Sequence, residues 1–254
     1  MNPLTRAVVE DGLFDGRLVL LQPARGYRVN VDTLLLAAFA AQFWPKTRRL
    51  VDLGAGVGAL ALALHHFGEV LRADLVEREP TLAALAERNL RAAPLAGAVH
   101  VADLGRGLPA ALTSSADAVV CNPPFFGAGS SNDAAAASLR RTARSGRVEP
   151  FLLAAARAMG RRSRAFFVYP AAALTEFFLA ARDAGLVPKR LRLVHAYADS
   201  AGRVALVELK RAKPGGLVVE PPLVEWSAPG VRSPELAAIV EGRLTTPAPA
   251  ATPR

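Results

Sequence analysis

Short apolar segments with the character of β-strands alternate with helical segments over most of this chain, and this alternation strongly constrains the fold. Strands are predicted at 49–53, 70–77, 98–102, 117–121 and 164–169, and helices at 59–67, 80–91, 148–159 and 172–184. Strands joined through helices run parallel, and a parallel sheet needs helices on both faces. Segments 186–195 and 203–210 follow one another directly and are predicted to form an antiparallel pair. The sequence therefore predicts an α/β fold with a mostly parallel sheet.

The segments that flank this core are less regular. Residues 1–31 are predicted to be an irregular lead-in with short extended pieces. Residues 33–43 are predicted as a strongly apolar helix that Asp32 or Thr33 is suited to cap. Three prolines among Ala and Thr predict a disordered C-terminal tail. The expected division is one domain at 1–244, made of a lead-in and helix (1–47) and a core (48–210), followed by a tail at 245–254.

Composition restricts the class of protein. The 254 residues are 52% hydrophobic, which is enough for a core without a disulfide or metal staple. The single cysteine, Cys121, excludes an internal disulfide and fits a reducing cytoplasm. The start lacks a signal-peptide pattern, and the apolar stretch 33–44 is too short to span a bilayer. We therefore expect a cytoplasmic protein with no membrane partner, and the spacing of its four histidines predicts no metal site.

The formal net charge of +9 has two interpretations. It favours an acidic partner such as nucleic acid, but it also follows from any arginine-rich composition. The distribution is more informative, since residues 140–164 carry eight arginines and one acid, Glu149. A nucleic-acid-binding loop is therefore predicted at its first four arginines, Arg140, Arg141, Arg144 and Arg147.

A glycine-rich segment joins the first strand of the core to its helix. Gly54, Gly56 and Gly58 occupy alternate positions, which lets the backbone turn tightly and approach a ligand closely. Such a loop could hold a dinucleotide. However, the spacing is G-x-G-x-G after Asp52, whereas a dinucleotide site uses G-x-G-x-x-G.

Two acids end the next two strands. Glu77 follows Gly58 by 77 − 58 = 19 residues, where a carboxylate can accept hydrogen bonds from both ribose hydroxyls. The alternative for Glu77 is a surface acid. Asp103 lies where a crevice would hold an adenine, and its alternative is a cap or turn residue. The set of Asp52, the glycine loop, Glu77 and Asp103 resembles class I (Rossmann-like) S-adenosylmethionine methyltransferases over residues 48–210. That resemblance implies a seven-stranded sheet with one antiparallel strand, and S-adenosylmethionine at the carboxyl ends of its strands.

The fourth strand ends in Asn122-Pro123-Pro124-Phe125. Two prolines provide a rigid exit from a sheet because they lack N–H donors. An amine conjugated to a ring is a poor nucleophile, and acceptors at the Asn122 side chain and the Pro123 carbonyl would localise its lone pair. Phe125 would stack on a planar substrate. A plain turn is the alternative, but the tetrapeptide resembles the Asn/Asp-Pro-Pro-Tyr/Phe motif of amino methyltransferases.

Residues before and after this motif narrow the substrate. The segment Gly26-Tyr27-Arg28-Val29-Asn30-Val31-Asp32-Thr33, together with Arg140-Arg141-Thr142-Ala143-Arg144, resembles bacterial tRNA1(Val) adenine-N6-methyltransferases. The resemblance runs over most of residues 11–225. It implies N6 methylation of an adenine next to the tRNA anticodon, with Asp32 and Thr33 near the methionine end of the cofactor. Two departures are the Phe at 125, where members often carry Tyr, and the small-residue stretch 127–137.

Four alternatives stay open at this point. Ribosomal RNA guanine-N2 methyltransferases use the same motif on this fold. Protein-glutamine N5-methyltransferases use a similar motif but usually carry a helical domain before the glycine loop. A nucleotide-binding module would bind the cofactor without turnover, and an NAD-dependent dehydrogenase is disfavoured by the glycine spacing.

Overall fold

The computed structural model of the chain describes residues 7–25, 28–44, 46–124 and 148–245. Its strands are β1 (Val8–Leu13), β2 (Leu18–Pro23), β3 (Lys46–Leu53), β4 (Glu69–Glu77), β5 (Ala96–Val101), β6 (Ala116–Cys121), β7 (Met159–Pro170), β8 (Val187–His195), β9 (Gly202–Lys210), β10 (Val218–Val219), β11 (Leu223–Val224), β12 (Trp226–Ala228) and β13 (Val231–Arg232). Its α-helices are α1 (Val31–Phe43), α2 (Ala59–Phe67), α3 (Pro80–Ala92), α4 (Glu149–Ala158), α5 (Leu174–Asp183) and α6 (Pro234–Val240).

The central sheet has the strand order β5-β4-β3-β6-β7-β9-β8. Strands β3 to β7 pair in parallel, and β9 pairs antiparallel with both of its neighbours. The predicted α/β sheet with one antiparallel strand is therefore confirmed. Two strands of two residues each, β10 and β11, add to the outer edge of β8 and bring the sheet to nine strands rather than seven.

The order of the strands fixes where a ligand can enter. The chain begins the parallel part of the sheet at β3, moves outward to β4 and β5, and then returns to place β6 on the other side of β3. The connections that leave β3 and β6 therefore run in opposite directions along the sheet. Open α/β sheets bind ligands in the crevice that this reversal creates at the carboxyl ends of the strands.

Alternate side chains of the central strands supply two apolar cores. Leu50, Val120 and Phe166 pack on one face, against α1, α2 and α3. Their sequence neighbours Val51, Val119 and Phe167 pack on the other face, against α4 and α5. This follows from the two-residue repeat of a strand, and it explains why these strands are continuously apolar.

Helix α1 is buried from Asp32 to Ala41, which accounts for its uniformly apolar sequence. It begins at Val31, two residues before the predicted start, and its N-cap is Asn30 rather than Asp32 or Thr33. The Asn30 side chain accepts a hydrogen bond from the backbone N–H of Thr33 at 3.3 Å. Helix α6, which was not predicted, packs against α1 through Leu236 and Ile239.

The lead-in, predicted as irregular with short extended pieces, is a β-hairpin of β1 and β2 over its described part, and the extended piece expected at 17–21 overlaps β2. Asn89 of α3 holds this hairpin, since its side chain accepts from the Leu21 N–H at 2.8 Å and donates to the Leu21 carbonyl at 2.9 Å. The same Asn89 amide also donates to the carbonyl of Val57 at 2.9 Å. The hairpin is thereby connected to the glycine-rich loop through one buried side chain.

The far end of α1 is attached to the opposite edge of the sheet. The guanidinium of Arg190 lies 3.9 Å from the ring centre of Phe43, and that of Arg164 lies 4.4 Å from Trp44. Both arginines also pair with the buried carboxylate of Glu208 on β9. Cations held over aromatic faces in this way contribute roughly 0.5–2 kcal/mol each. Helix α1 therefore spans the sheet from its carboxyl edge to its amino edge.

Candidate active site

The glycine-rich loop and Asn122 lie at the two strand ends that border the crevice. The loop follows β3, and Asn122 follows β6, which pairs with β3 from Leu50↔Ala118 to Asp52↔Val120. The pairing of β6 with β7 ends at Cys121↔Phe167, so Asn122, Pro123 and Pro124 leave the sheet at this edge. The two motifs that were separated by over 60 residues in the sequence therefore meet at one strand-order reversal.

All three predicted glycines of the loop have positive φ, at 72° for Gly54, 57° for Gly56 and 83° for Gly58. This left-handed conformation favours glycine because it has no Cβ. At Gly58, a Cβ would also stand 2.8 Å from Cδ2 of Leu75 and 3.7 Å from Cβ of Ala86. The third glycine is therefore needed for packing α2 against β4 and α3 as well as for the turn.

Glu77 is buried, which excludes the surface-acid alternative. One carboxylate oxygen accepts from the N–H of Gly56 at 2.9 Å, and the other accepts from the N–H of Glu79 at 2.8 Å. Each carboxylate oxygen has two acceptor sites, so both oxygens can take a further donor. Glu77 thus holds the glycine loop in place, a contact that its position in the sequence did not predict.

Asp52 is almost fully buried at the start of the loop. Its Oδ2 accepts from the N–H of Ala61 in α2 at 3.2 Å, and its Oδ1 has no hydrogen-bond partner in the part of the chain that the structure describes. Burial, with a smaller contribution from repulsion by Glu77, raises the pKa of Asp52 to about 7, against the lowering effect of the Ala61 hydrogen bond. A buried, unpartnered carboxylate oxygen is costly and indicates a site for a donor or a cation.

Asn122 is held by the first turn of α1. Its side-chain Nδ2 donates to the hydroxyl oxygen of Thr33 at 3.1 Å, across 89 positions of sequence. The Thr33 hydroxyl in turn lies 3.4 Å from Oδ1 of Asn30. Asn30, Thr33 and Asn122 therefore form a polar chain from the helix cap to the end of β6.

Asp32, the neighbour of Thr33, pairs with a residue on a different strand. Arg203 on β9 donates to Oδ1 of Asp32 at 2.7 Å, and it contacts both oxygens of Glu225 at 2.7 and 3.2 Å. Burial alone would lower the pKa of Arg203, but these hydrogen bonds and the two carboxylates outweigh it and raise that pKa. The triad fixes the first turn of α1 to β9 and to the segment after β11.

Of the other predicted site residues, Asp103 lies at the surface and the rest lie outside the described residues. Asp103 is exposed and accepts from the N–H of Gly105 at 2.9 Å, which makes it the cap of a short 3₁₀ helix, Leu104–Arg106. That contact matches the alternative of a cap residue, and an adenine contact of Asp103 remains a prediction. The residues predicted to stack on the substrate and to bind RNA lie outside the described residues, namely Phe125, Arg140, Arg141, Arg144 and Arg147.

Three residues of this site were not predicted from the sequence. Asn30 had a recognisable signal, because Asn immediately before an apolar helix is a favourable N-cap. Arg203 and Glu225 had none, since Arg203 pairs with Asp32 from 171 residues away and with Glu225 across 22 residues. Long-range ion pairs of this kind leave no local pattern.

The described ranges of the chain contain neither a membrane-spanning α-helix nor a cluster of metal-ligating side chains. No α-helix there is long and apolar enough to cross a membrane. No group of three or more His, Cys, Asp and Glu side chains is arranged to hold a metal ion within those ranges.

Comparison with known proteins agrees with this geometry. Residues 30–147 match the family model described as "Methyltransferase small domain". A tRNA1(Val) (adenine(37)-N6)-methyltransferase of Aliivibrio salmonicida is 30% identical over 147 residues, which is 57% of this chain and 61% of that protein. Across such curated relatives, the chain spans from 40% to 61% of their length.

Two solved structures share the fold at low sequence identity. A predicted O-methyltransferase from Agrobacterium tumefaciens has a TM-score of 0.62 at 21% identity and covers 84% of this chain and 97% of its own. The T. thermophilus 16S rRNA N2 G1207 methyltransferase, in complex with AdoMet and guanosine, has a TM-score of 0.56 at 18% identity, covering 81% and 50%.

The strand order, the single antiparallel strand and these neighbours define a class I methyltransferase fold.

We predict that Asp52→Asn stabilises the ligand-free protein at pH 8. The folded pKa of Asp52, about 7, lies above its ordinary value of 3.8, so ionisation destabilises the fold progressively as pH rises between these values. Asn does not ionise, so the melting temperature should rise by about 3–6 °C, or roughly 1–2 kcal/mol. The gain should shrink as pH is lowered from 8 toward 4.

The matched control is Asp183→Asn, because the Asp183 side chain is 71% exposed and its removal should give no such pH-dependent gain. Thermal melts of both variants and the parent at several pH values make the comparison. A stability difference for Asp52→Asn that is constant from pH 4 to 8 would contradict the raised pKa.

We predict that Arg203→Met destabilises the fold by leaving two buried carboxylates without a cation. Breaking a fully buried pair costs about 3–5 kcal/mol, and we expect roughly 2–3 kcal/mol because the Arg203 side chain is 37% exposed. Chemical denaturation of Arg182→Met, which breaks the exposed pair with Asp183, should show a change within about 0.5 kcal/mol. Equal losses in the two variants would show that the triad is not a stabilising contact.

Proposed function

We propose that this protein is an S-adenosylmethionine-dependent N-methyltransferase that acts on an exocyclic base amine in RNA, most specifically adenine N6 in tRNA. One observation carries the proposal. The Asn122 amide is held through its Nδ2 at the crevice beside the glycine loop, so its Oδ1 remains as an acceptor for an amine. The tRNA1(Val) adenine-N6 relatives support the choice of substrate.

The charges at the crevice fit a cationic cofactor. Four buried acids pair with arginines, namely Asp32, Asp74, Glu208 and Glu225. In the described part of the chain, the buried acids without such a partner are Asp52 and Glu77, and both border the glycine loop. S-adenosylmethionine, when bound, supplies a methyl group on a sulfonium and carries an ammonium group.

We assign the binding of this cofactor to Asp52, Glu77 and the glycine loop. Asp52 has a free buried oxygen that suits a positively charged group. Glu77 is proposed to accept from ribose hydroxyls while it continues to hold Gly56. Asp103 is proposed to contact the adenine from the end of β5, with Asp32 and Thr33 near the methionine end.

The reaction that we propose needs positioning more than acid–base chemistry. A base amine donates its lone pair into the ring, which makes it a weak nucleophile. The Asn122 Oδ1 and the Pro123 carbonyl oxygen would accept hydrogen bonds from the two N–H groups of the amine. This would turn the nitrogen lone pair toward the methyl group. Phe125 is proposed to stack on the base, and the displaced proton leaves to solvent. Positioning of this kind can supply several kcal/mol of the barrier reduction.

RNA is proposed as the substrate on three grounds. The chain carries a formal charge of +9. The curated relatives are named as tRNA methyltransferases. Arg140, Arg141, Arg144 and Arg147 follow the Asn122 motif in the sequence and are proposed to hold the RNA backbone.

Guanine N2 in ribosomal RNA is the second candidate. The solved T. thermophilus enzyme, which is in complex with guanosine, shares this fold, and the proposed chemistry is the same for either base amine. The two functions differ in the nucleoside that is formed, which makes a direct measurement decisive.

Incubation of the protein with labelled S-adenosylmethionine and separate tRNA, ribosomal RNA and protein fractions tests the proposal. We expect label in tRNA, and mass analysis of the hydrolysed RNA should identify N6-methyladenosine. N2-methylguanosine in ribosomal RNA would establish the second candidate, and label in protein would replace RNA as the substrate. Cofactor binding with no labelled fraction would contradict the proposed enzyme activity.

We predict that Asn122→Ala lowers turnover by about 100-fold or more while the protein still binds S-adenosylmethionine. The substitution removes the amine acceptor but leaves Asp52, Glu77 and the glycine loop unchanged. Turnover and calorimetric affinity should be measured in parallel with Cys121→Ala, which alters the preceding buried residue and should retain turnover. Full methylation by Asn122→Ala would remove Asn122 from the reaction.

A further inference from the structure

We propose that Thr33 is a positioning residue that selects the reactive orientation of the Asn122 amide. The proposal deepens the proposed function and rests on it, because Asn122 must meet the substrate amine for its orientation to matter. It differs from the expectation that Thr33 contacts the cofactor. The observation behind it is the hydrogen bond from Asn122 Nδ2 to Thr33 Oγ1 at 3.1 Å.

The two ends of the Asn122 amide have opposite hydrogen-bonding character. Its NH2 can only donate, and its oxygen can only accept. Rotation by 180° about the last side-chain bond exchanges them, and the two orientations occupy the same volume. An amide with its NH2 toward the substrate would present donors to a donor, so only one of the two orientations can bind an amine. Whatever fixes this rotation therefore controls the reaction.

The surroundings of Thr33 favour the reactive orientation. The Thr33 hydroxyl has a single hydrogen, and its contact with the acceptor Oδ1 of Asn30 at 3.4 Å gives that hydrogen a partner. The hydroxyl oxygen is then left as an acceptor, which pairs with the NH2 of Asn122 and not with its oxygen. Asn30 Oδ1 is itself directed by the backbone N–H of Thr33 at 3.3 Å. With the hydroxyl hydrogen directed to Asn30 Oδ1, the pairing with Thr33 leaves Asn122 Oδ1 pointing away from Thr33.

Thr33 also has the rigidity that a positioning residue needs. It is buried, with a relative exposure of 3%. It lies at the third position of α1. A longer polar side chain at this position, such as Glu or Gln, would usually fold back to hydrogen-bond the helix cap. Its neighbour Asp32 is fixed by Arg203, so the turn that carries Thr33 is attached to β9. Within the described residues, Thr33 is the only hydrogen-bond partner of the Asn122 side chain.

Thr33→Val and Thr33→Ser form a matched pair for the test. Val keeps the shape of Thr and the backbone N–H that Asn30 caps, but it removes the hydroxyl, whereas Ser keeps the hydroxyl. With total tRNA as substrate, we expect Thr33→Val to lower kcat by about 10- to 100-fold while the KM for tRNA stays within about threefold. Thr33→Ser should recover most of the rate. An unchanged kcat in Thr33→Val would overturn the proposal.

Calorimetric titration with S-adenosylmethionine separates positioning from cofactor binding. Thr33→Val should bind the cofactor with an affinity within about threefold of the parent, because the lost contact is to Asn122. A loss of cofactor affinity that matches the loss of rate would make Thr33 a cofactor ligand and would overturn the positioning role.

The same substitution in an Asn122→Asp background tests whether Thr33 acts through the amide. A carboxylate presents acceptors at both ends and has no reactive orientation to select. We therefore expect Thr33→Val to cost less than about threefold in kcat there, a strong departure from additivity. The full 10- to 100-fold loss in that background would show that Thr33 acts by another route.

An NMR measurement keeps the inference testable apart from enzyme activity. The side-chain NH2 signals of Asn122 in ¹⁵N-labelled protein are identified by their absence in Asn122→Ala. We expect them to move in Thr33→Val and to stay near the parent position in Thr33→Ser. Unmoved signals in Thr33→Val would overturn the proposal even if no RNA fraction were methylated. If the signals move but no RNA fraction is methylated, the contact between Thr33 and Asn122 stands and the proposed function is rejected.

Discussion

The arrangement of the carboxyl edge depends on burying the first turn of α1 against the sheet. This helix is apolar along its length, so its burial stabilises the fold through the hydrophobic effect. Its first turn brings Asp32 and Thr33 into the same buried environment, where an unpartnered polar group costs roughly 1–3 kcal/mol. Each side chain therefore needs a partner from the strand edge beside it. Arg203 and Asn122 supply those partners, and in doing so they align the helix with the site.

This requirement couples parts of the chain that are distant in sequence. Asp32 reaches β9 and the segment after β11 through Arg203 and Glu225. Thr33 reaches the end of β6. The hairpin at the start of the chain joins the glycine loop through Asn89 on α3. The flanking segments are thus tied to the elements that border the crevice.

Sequence patterns predicted the elements well where periodicity and local chemistry determine them. Helix α2 has the predicted bounds, 59–67, because the preceding Gly58 marks its start. The antiparallel pair β8 and β9 and the two-sided sheet also agree. The hairpin of β1 and β2 was missed because its strands are short and only half buried. The short strands β10 and β11 were missed because two residues carry no measurable pattern.

The candidate site shows the same division between local and distant contacts. The glycine loop, Glu77 and Asn122 were identifiable because each has a motif at a strand end. The partners that hold them were not, since Glu77 supports Gly56 and Thr33 supports Asn122 only after the sheet brings them together. Sequence reasoning thus found the residues with predicted chemical roles, while their supporting contacts required the fold.

The charge of the crevice distinguishes between the ligands that a glycine-rich loop could hold. A dinucleotide would place an anionic pyrophosphate beside the loop, where Asp52 and Glu77 are buried and repel one another. Coulomb repulsion in such a partly desolvated site would be on the order of several kcal/mol. A ligand with an ammonium and a sulfonium would instead offset the unpaired carboxylates and lower the raised pKa of Asp52. The free oxygen of Asp52 is thus destabilising without a cation beside it and would be favourable with one, so the buried charge supports the proposed cofactor over a dinucleotide.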